Sequence, residues 1–250
     1  MNALTLTAID GIPLIKPGDE LARLINEAAI ANGLRFESGD ILAVCQKVVS
    51  KAEDRLRLLS EVEPSALALN FAAAFDKDPR LVEVVLGETS RIVRMERGVL
   101  ISETGAGWVC ANAGVDESNS MSDDLAILLP VDADASAERI RTGLKALTGV
   151  DLAVLITDTF GRPWRDGQTE VCLGLAGLEA MIDLRGARDM RGRELHHTMI
   201  AVADELASAA GLLMEKAAGI PAVLIRGYHG REAAGSARPL IRAAEGDLFR

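Results

Sequence analysis

An apolar run at residues 152–156, leading directly into a string of polar residues, constrains the fold more than any other feature. The run reads Leu-Ala-Val-Leu-Ile and contains no polar side chain, so it predicts a strand buried on both faces. Asp158 and Thr159 follow almost at once. Open sheets place ligands for metals and phosphates just outside the carboxyl ends of such strands. The chain is therefore expected to build a sheet that carries polar chemistry at one edge.

Strands and helices are predicted around this run in an irregular order. Helices are predicted from Asp19 to the residue before Gly33 and at 64–75, 81–86, 136–147 and 198–214; strands are predicted at 41–45, 91–95, 99–102, 107–111, 125–129, 171–175, 180–184 and 221–225. No repeat and no Pro/Ser-rich linker divides the chain. Because the order is not a regular βαβ alternation, it predicts an α+β fold. We expect a large mixed β-sheet with flanking helices, in a single domain over residues 1–250 with one or two lobes.

Composition and charge narrow the class of protein. Hydrophobic residues make up 49% of the chain and aromatic residues only 3%, so a globular protein with an aliphatic core is expected. The net charge of −10 argues against a sequence-independent nucleic-acid binder and against binding to acidic membranes. No secretory signal is recognisable, and no apolar run reaches the roughly 18 residues that a membrane span needs. Cys45, Cys110 and Cys172 lie in separate apolar runs, which predicts reduced thiols and a cytoplasmic location.

A polar loop at 112–124 is the first candidate site. It carries Asn112, Asp116 and Asn119 around a glycine, and such side chains offer the oxygen ligands that Mg²⁺ and Mn²⁺ prefer. The alternative is a turn in which the same side chains satisfy backbone groups. Spacing alone slightly favours the turn.

The polar string after residues 152–156 is the second candidate. Asp158 suits a metal or phosphate site, and the Thr159 hydroxyl can add a metal ligand or a phosphate contact. Arg162 and Arg165 can each grip a phosphate or carboxylate through two hydrogen bonds. The alternative is a solvated turn with Trp164 as a packing residue.

Gln46, Lys47 and Lys51 follow the 41–45 strand and form the third candidate, because lysines there could meet phosphates. For any single lysine an exposed face is the commoner outcome. The chain has no GxxxxGK[ST] loop and no GxGxxG after a strand, so a nucleotide would need an unusual site. The pair His196-His197 is interpreted as surface or packing residues, since adjacent helical side chains point in different directions.

At these segments the sequence resembles the coenzyme F-420-0:L-glutamate ligase family, also called F-420 gamma-glutamyl ligase. The resemblance covers nearly the whole chain. It rests on GIPLI at 11–15, VSKAE at 49–53, CANAGVDESN at 110–119, ITDTFGR at 156–162, VADELA at 202–207 and GIPAV at 219–223. The NAGVDxSN and TDTxGR strings together are specific.

The resemblance implies a GTP-dependent ligase that adds L-glutamate to coenzyme F-420-0 and then extends a γ-linked oligoglutamate tail. It implies an acyl-phosphate intermediate, Mg²⁺ or Mn²⁺ with help from K⁺, and an intertwined homodimer with an unusual ligase fold. The C-terminal oxidoreductase domain that some relatives carry is not expected. Two alternatives stay open: a metal-dependent phosphotransferase or nucleotide hydrolase, and a non-catalytic binder of nucleotide or deazaflavin.

The resemblance also implies roles for individual residues. Asp116 and Asp158 match catalytic residues and ligands of one metal ion, and Thr159 matches a ligand of a second. Nucleotide contacts are implied for Ile12, Pro13, Leu14, Ile15, Gln46, Lys47, Lys51, Asn119, Met214, Glu215, Lys216, Gly219 and Ile220. Two departures stand out: residues 103–107 lack a histidine that members often carry, and Glu215 stands where members usually have glycine, which lets backbone approach a phosphate closely.

Overall fold

The structure is a computed structural model that describes residues 3–117, 124–215 and 218–247. The described residues form six α-helices and twelve strands. The helices are α1 (Leu21–Ala31), α2 (Gln46–Ala52), α3 (Ala66–Phe75), α4 (Pro79–Gly87), α5 (Ala133–Thr148) and α6 (Val202–Met214). The strands are β1 (Thr5–Ala8), β2 (Ile41–Cys45), β3 (Leu56–Leu58), β4 (Thr89–Glu96), β5 (Val99–Thr104), β6 (Val109–Ala111), β7 (Leu125–Ile127), β8 (Ala153–Arg162), β9 (Arg165–Ala176), β10 (Ile182–Asp183), β11 (Met199–Ile200) and β12 (Ala222–Arg226).

A five-stranded mixed sheet forms the centre of the fold, in the order β1-β12-β2-β8-β9. Strands β2 and β8 pair in parallel, and the other neighbours pair antiparallel. Three smaller antiparallel sheets join β4-β5-β6, β3-β7 and β10-β11. The prediction of an α+β fold with a mixed sheet and flanking helices is confirmed.

Both faces of the central sheet are covered by helices. Leu42, Val44, Val154 and Ile156 pack with α1 and α5 on one face, while Ile41, Ala43, Ala153 and Leu155 pack with α6 on the other. This alternation follows the two-residue period of a strand. Because each strand is buried on both sides, its sequence is continuously apolar, as predicted for residues 152–156. A third cluster, from α3, α4 and β5, packs beside the smaller sheets.

The polar string after residues 152–156 is a strand rather than a solvated turn. Strand β8 pairs with β2 up to Thr157 and then continues to Arg162, paired with β9. Residues 158–171 thus form a two-stranded extension, here called the ribbon. The alternative of a solvated turn does not hold for residues 158–162, because β9 supplies backbone partners that the local sequence does not reveal.

Other differences lie at element boundaries and in short elements. Pro64 is not the first residue of α3, because Ser65 caps that helix by accepting a hydrogen bond from the Ala68 N–H. Asp19 does not cap α1; its carboxylate accepts from the Lys16 N–H instead. The helix predicted from residue 198 begins at Val202, since β11 precedes it. Strands β1 and β3 and helix α2 were not predicted.

The cysteines are free thiols, as predicted. No helix in the described part of the chain is long and apolar enough to cross a membrane. Cys110 and Cys172 are buried and Cys45 is partly buried. Burial raises the pKa of the Cys45 thiol to about 11, so it is protonated at neutral pH.

A buried carboxylate ties together the strands that lead to the functional edge of the sheet. Asp40, directly before β2, is 2% exposed. Its two oxygens accept from Nε and a terminal nitrogen of Arg226, each at 2.7 Å, and one also accepts from the Glu37 N–H at 2.7 Å. Arg226 ends β12, so this contact fixes β12 beside β2.

We expect Asp40→Ala to lower the free energy of unfolding by about 2 kcal/mol, since hydrogen bonds to a charged group are lost in a buried place. Urea denaturation measures the change. Glu37→Ala is the matched control, because it removes a second carboxylate from Arg226 (2.9 Å) that is 64% exposed. An exposed pair contributes little, so equal losses in the two variants would contradict this account.

Candidate nucleotide and metal site

Most of the predicted site residues line one cavity of about 790 Å³. The cavity lies where β2 and β8 leave the sheet, and it is framed by residues 12–15, α2, the segment after β6, the ribbon and the end of α6. The predicted residues that line it are Ile12, Pro13, Leu14, Ile15, Lys47, Lys51, Asp116, Asp158, Thr159, Met214, Glu215, Gly219 and Ile220. Segments more than 200 residues apart in the chain thus meet at one place.

Some predicted residues lie elsewhere. The side chain of Gln46 is buried and donates to Ser50 Oγ and to the Leu128 carbonyl (3.1 Å), so it supports α2 and is not among the side chains lining the cavity. Asn119 and Lys216 lie outside the described residues.

The two arginines predicted to grip an anion do not line the cavity. The Arg162 guanidinium donates to the carbonyls of Asp166 and Gly167 in its own turn, and Arg165 is exposed at the tip of the ribbon. The guanidinium N–H groups of Arg162 are therefore already bonded to backbone carbonyls of the turn. His196 and His197 are exposed, as predicted for surface residues.

Helix α2 presents both lysines on one side. It begins immediately after β2, and residues four apart share a helix face, so Lys47 and Lys51 point to the same cavity. Their side chains are largely buried: Lys51 is 9% exposed, and the Lys47 side chain is 12% exposed. Burial, together with the charge of Lys47, lowers the pKa of Lys51. The two ammonium groups give this part of the cavity lining a local positive charge.

Two carboxylates, from Asp116 and Asp158, line the same cavity. Asp116 pairs through its backbone with Ile127, and its Oδ2 lies 2.8 Å from Lys47 Nζ. Burial, with smaller contributions from the Glu170 and Asp116 carboxylates, raises the pKa of Asp158 to about 7, while the Thr159 backbone N–H and Lys47 oppose the shift. Because burial is the main cause, this carboxyl group loses more hydration than the protein's own donors and cations replace, and a carboxyl group perturbed in this way within a cavity is typical of a functional site.

Glu170 was missed by the sequence analysis. It lies in β9 directly opposite Thr159, accepts the Thr159 hydroxyl through Oε1, and lines the cavity. Its pairing could have been found only by reading TDTFGR as one arm of a hairpin, since cross-strand neighbours follow from the register.

These oxygen ligands fit a divalent cation in an open site. Among the described residues, no three histidine, cysteine, aspartate or glutamate side chains gather as in a closed metal centre. Mg²⁺, however, usually takes only one or two carboxylates and completes its shell with water and substrate phosphates. Asp116 and Asp158 would hold one such ion beside the lysines, and the Thr159 hydroxyl would contribute to a second.

Only one of the two departures from the family pattern lines this cavity. Thr104, Gly105 and Ala106 line a second cavity of about 380 Å³, so the absent histidine does not alter the lining of the candidate site. Glu215 does line the site and has a φ of 32°, a conformation that favours glycine. Glutamate in place of the family's glycine therefore adds a side chain to the site and strains the backbone at the end of α6.

In the metal-free protein we expect Asp158→Asn to raise the melting temperature by a few degrees at pH 8. The folded-state pKa of about 7 lies above the usual unfolded value of about 3.9, so wild-type stability falls as pH rises from about 4 to 7. The gain should therefore vanish near pH 4. Thermal melts in EDTA at both pH values measure it, with Asp166→Asn, at the exposed ribbon tip, as control. An equal shift at both pH values would contradict the electrostatic cause.

Comparison with known proteins shows the family that the chain resembles. The F420-0:Gamma-glutamyl ligase family model matches residues 11–227. The coenzyme F420:L-glutamate ligase of Methanothermobacter thermautotrophicus is 48% identical over 251 residues, covering 99% of both chains. The enzymes of that name from Methanopyrus kandleri and Archaeoglobus fulgidus are 46% and 43% identical, covering 100% and 97% of this chain and 100% and 94% of their own lengths.

The family match spans more than half of the chain, and the relatives align along almost their entire lengths. Most of the residues for which the resemblance implies a role line one cavity. The chain belongs to the F420-0:gamma-glutamyl ligase family.

Proposed function

We propose that this protein joins L-glutamate to the terminal carboxylate of coenzyme F-420-0, using GTP and Mg²⁺ or Mn²⁺, and then extends a γ-linked oligoglutamate tail. The observation that carries the proposal is that one cavity holds both kinds of charge: Lys47 and Lys51 line it together with Asp116 and Asp158, and Lys47 Nζ lies 2.8 Å from Asp116 Oδ2. A ligase of this kind must hold a polyphosphate and a cation together, and this arrangement meets both needs.

The lysines would bind the phosphates of the nucleotide. Ammonium groups are strong point-charge partners for phosphate oxygens, and the largely buried positions of Lys47 and Lys51 leave them little water as an alternative partner. Residues 12–15 and 219–220 supply an apolar and backbone wall to the same cavity, which suits the nucleoside portion.

The chemistry proceeds in two transfers. The γ-phosphoryl group of GTP passes to a carboxylate oxygen of the acceptor, so the bond to the β-phosphate oxygen breaks and GDP leaves. The amine of L-glutamate then attacks the acyl carbon, the carbon–oxygen bond to phosphate breaks, and an amide and inorganic phosphate remain after the amine gives up a proton. The carboxylate becomes a usable electrophile only through this activation, because carboxylate itself is a poor one.

The carboxylates of the site would hold the cation against the reacting phosphate. A bound Mg²⁺ or Mn²⁺ supplies charge neutralisation and alignment of the phosphoryl group with its acceptor. Lys47 pairs with Asp116, so binding a cation at Asp116 would free the Lys47 ammonium to turn toward phosphate. This exchange would couple the binding of metal and nucleotide. The proposal also includes K⁺, which assists the divalent ion, and a homodimer. Both rest on the family resemblance alone.

The product distribution tests the function. Protein, GTP, Mn²⁺, L-glutamate and coenzyme F-420-0 are incubated and analysed by mass spectrometry. The proposal requires a ladder of products, each one glutamyl residue heavier than the last, together with GDP and phosphate. Phosphate release without a ladder would favour a hydrolase or phosphotransferase, and the absence of both would favour a binding protein.

Asp158→Asn is expected to keep the fold and to abolish turnover, because a neutral amide cannot replace the carboxylate as a cation ligand. Product formation at saturating Mn²⁺ is the measurement, and the melting temperature checks the fold. Near-wild-type rates in this variant would remove Asp158 from the mechanism.

Lys51→Ala is expected to weaken GTP binding about tenfold or more, which corresponds to losing one charge-assisted hydrogen bond. Calorimetry in the presence of Mn²⁺ gives the dissociation constant. Lys145→Ala is the matched control. Lys145 lies on α5, pairs with Asp151 at 2.7 Å, and its side chain is 57% exposed. Equal GTP affinity in wild type and Lys51→Ala would refute this assignment.

A further inference from the structure

The ribbon carries a carboxylate whose position the function assigned so far does not explain. Glu170 lines the cavity beside Asp158 and Thr159. Among the residues that the structure describes, no basic side chain pairs with it; its carboxylate accepts the Thr159 hydroxyl. A partly buried carboxylate normally has a cationic partner or a metal, so its placement calls for a reason.

The fold holds Glu170 in place from two sides. Ser208 of α6 donates its hydroxyl to the Glu170 carbonyl at 2.8 Å. One turn further along α6, Gly211 leaves the space that the side chain uses, because a Cβ at that position would lie 2.5 Å from Glu170 Cγ. Helix α6 therefore accommodates both the backbone and the side chain of Glu170.

The hydrogen bond determines what Thr159 can do. A hydroxyl has one proton and two lone pairs, and the proton of Thr159 is directed to Glu170. Toward any other group the oxygen can then act only as an acceptor. A phosphate oxygen also accepts, so it gains nothing from this hydroxyl, whereas a cation is bound by its lone pairs.

We propose that Glu170 is a positioning residue: by accepting the Thr159 proton it commits the Thr159 oxygen to binding a cation rather than a phosphate. Its own negative charge adds to the attraction for that cation. The inference rests on the proposed metal dependence of the enzyme and adds a residue that the family resemblance did not assign. It also decides between the two roles that the sequence left open for Thr159.

The test counts Mn²⁺ binding by the loss of the free-ion electron paramagnetic resonance signal, with GTP present and no acceptor. Glu170→Ala and Thr159→Val should each weaken Mn²⁺ binding about tenfold or more, as is usual when a partner of a metal ligand is removed. The double variant should be little weaker than either single one, because the two residues act as one unit. Glu170→Gln should recover part of the loss, since its amide oxygen still accepts the hydroxyl.

Two controls separate this role from others. Asp166→Asn removes one negative charge from the exposed tip of the same ribbon and should leave Mn²⁺ binding unchanged. Melting temperatures measured without Mn²⁺ show whether Glu170→Ala merely loosens the ribbon: weakened Mn²⁺ binding at an unchanged melting temperature supports the positioning role, whereas weakened binding together with a lowered melting temperature contradicts it.

Three further results would overturn the proposed role of Glu170. Wild-type affinity in Glu170→Ala, alongside loss of binding in Asp158→Asn, overturns the role of Glu170 and leaves the proposed function standing. Additive losses in the double variant also overturn it, because they would make Thr159 and Glu170 independent. No Mn²⁺ binding by the wild type overturns both the inference and the proposed metal dependence.

Discussion

The parallel pairing of β2 with β8 is the constraint on which the rest of the site depends. Its register sets Val44 beside Ile156 and Cys45 beside Thr157, so the two strands leave the sheet together at one edge. The chain after β2 turns into α2 and carries Lys47 and Lys51, while β8 continues into Asp158 and Thr159. Residues about 110 positions apart thereby face each other, and opposite charges meet without any contiguous phosphate-binding loop.

Such a concentration of charge costs stability, and the aliphatic core offsets that cost. Strands β2 and β8 bury alternate residues against α1 and α5 on one face and α6 on the other, which gives the charged edge a rigid base. At that edge the protein leaves Asp158 with a pKa of about 7 and lowers the pKa of Lys51. Groups perturbed in opposite directions within one cavity are typical of sites that await charged ligands.

Local patterns in the sequence predicted the parts of the fold that local physics decides. The strand at 41–45 and the buried run at 152–156 follow from apolar continuity, whereas most of the predicted site residues came from the family resemblance. What depended on distant pairing was missed: the extension of β8 through Arg162, the place of Glu170 opposite Thr159, and the closing of Arg162 onto its own turn. Helix α2 was not predicted, because seven residues directly after a strand show little helical periodicity. The burial of the Gln46 side chain could not be predicted either, because its partner is the Leu128 carbonyl, 82 residues away.

The central claim is that the lysines and the carboxylates form one site, in which a single cation contacts both the protein and the phosphates of the nucleotide. Electron–nuclear double resonance on the Mn²⁺–GTP complex of the wild-type protein tests this most directly. The account predicts a ³¹P coupling to the protein-bound Mn²⁺ and the disappearance of that bound species in Asp158→Asn. Protein-bound Mn²⁺ without any ³¹P coupling would show that metal and nucleotide occupy separate places, and would contradict the account.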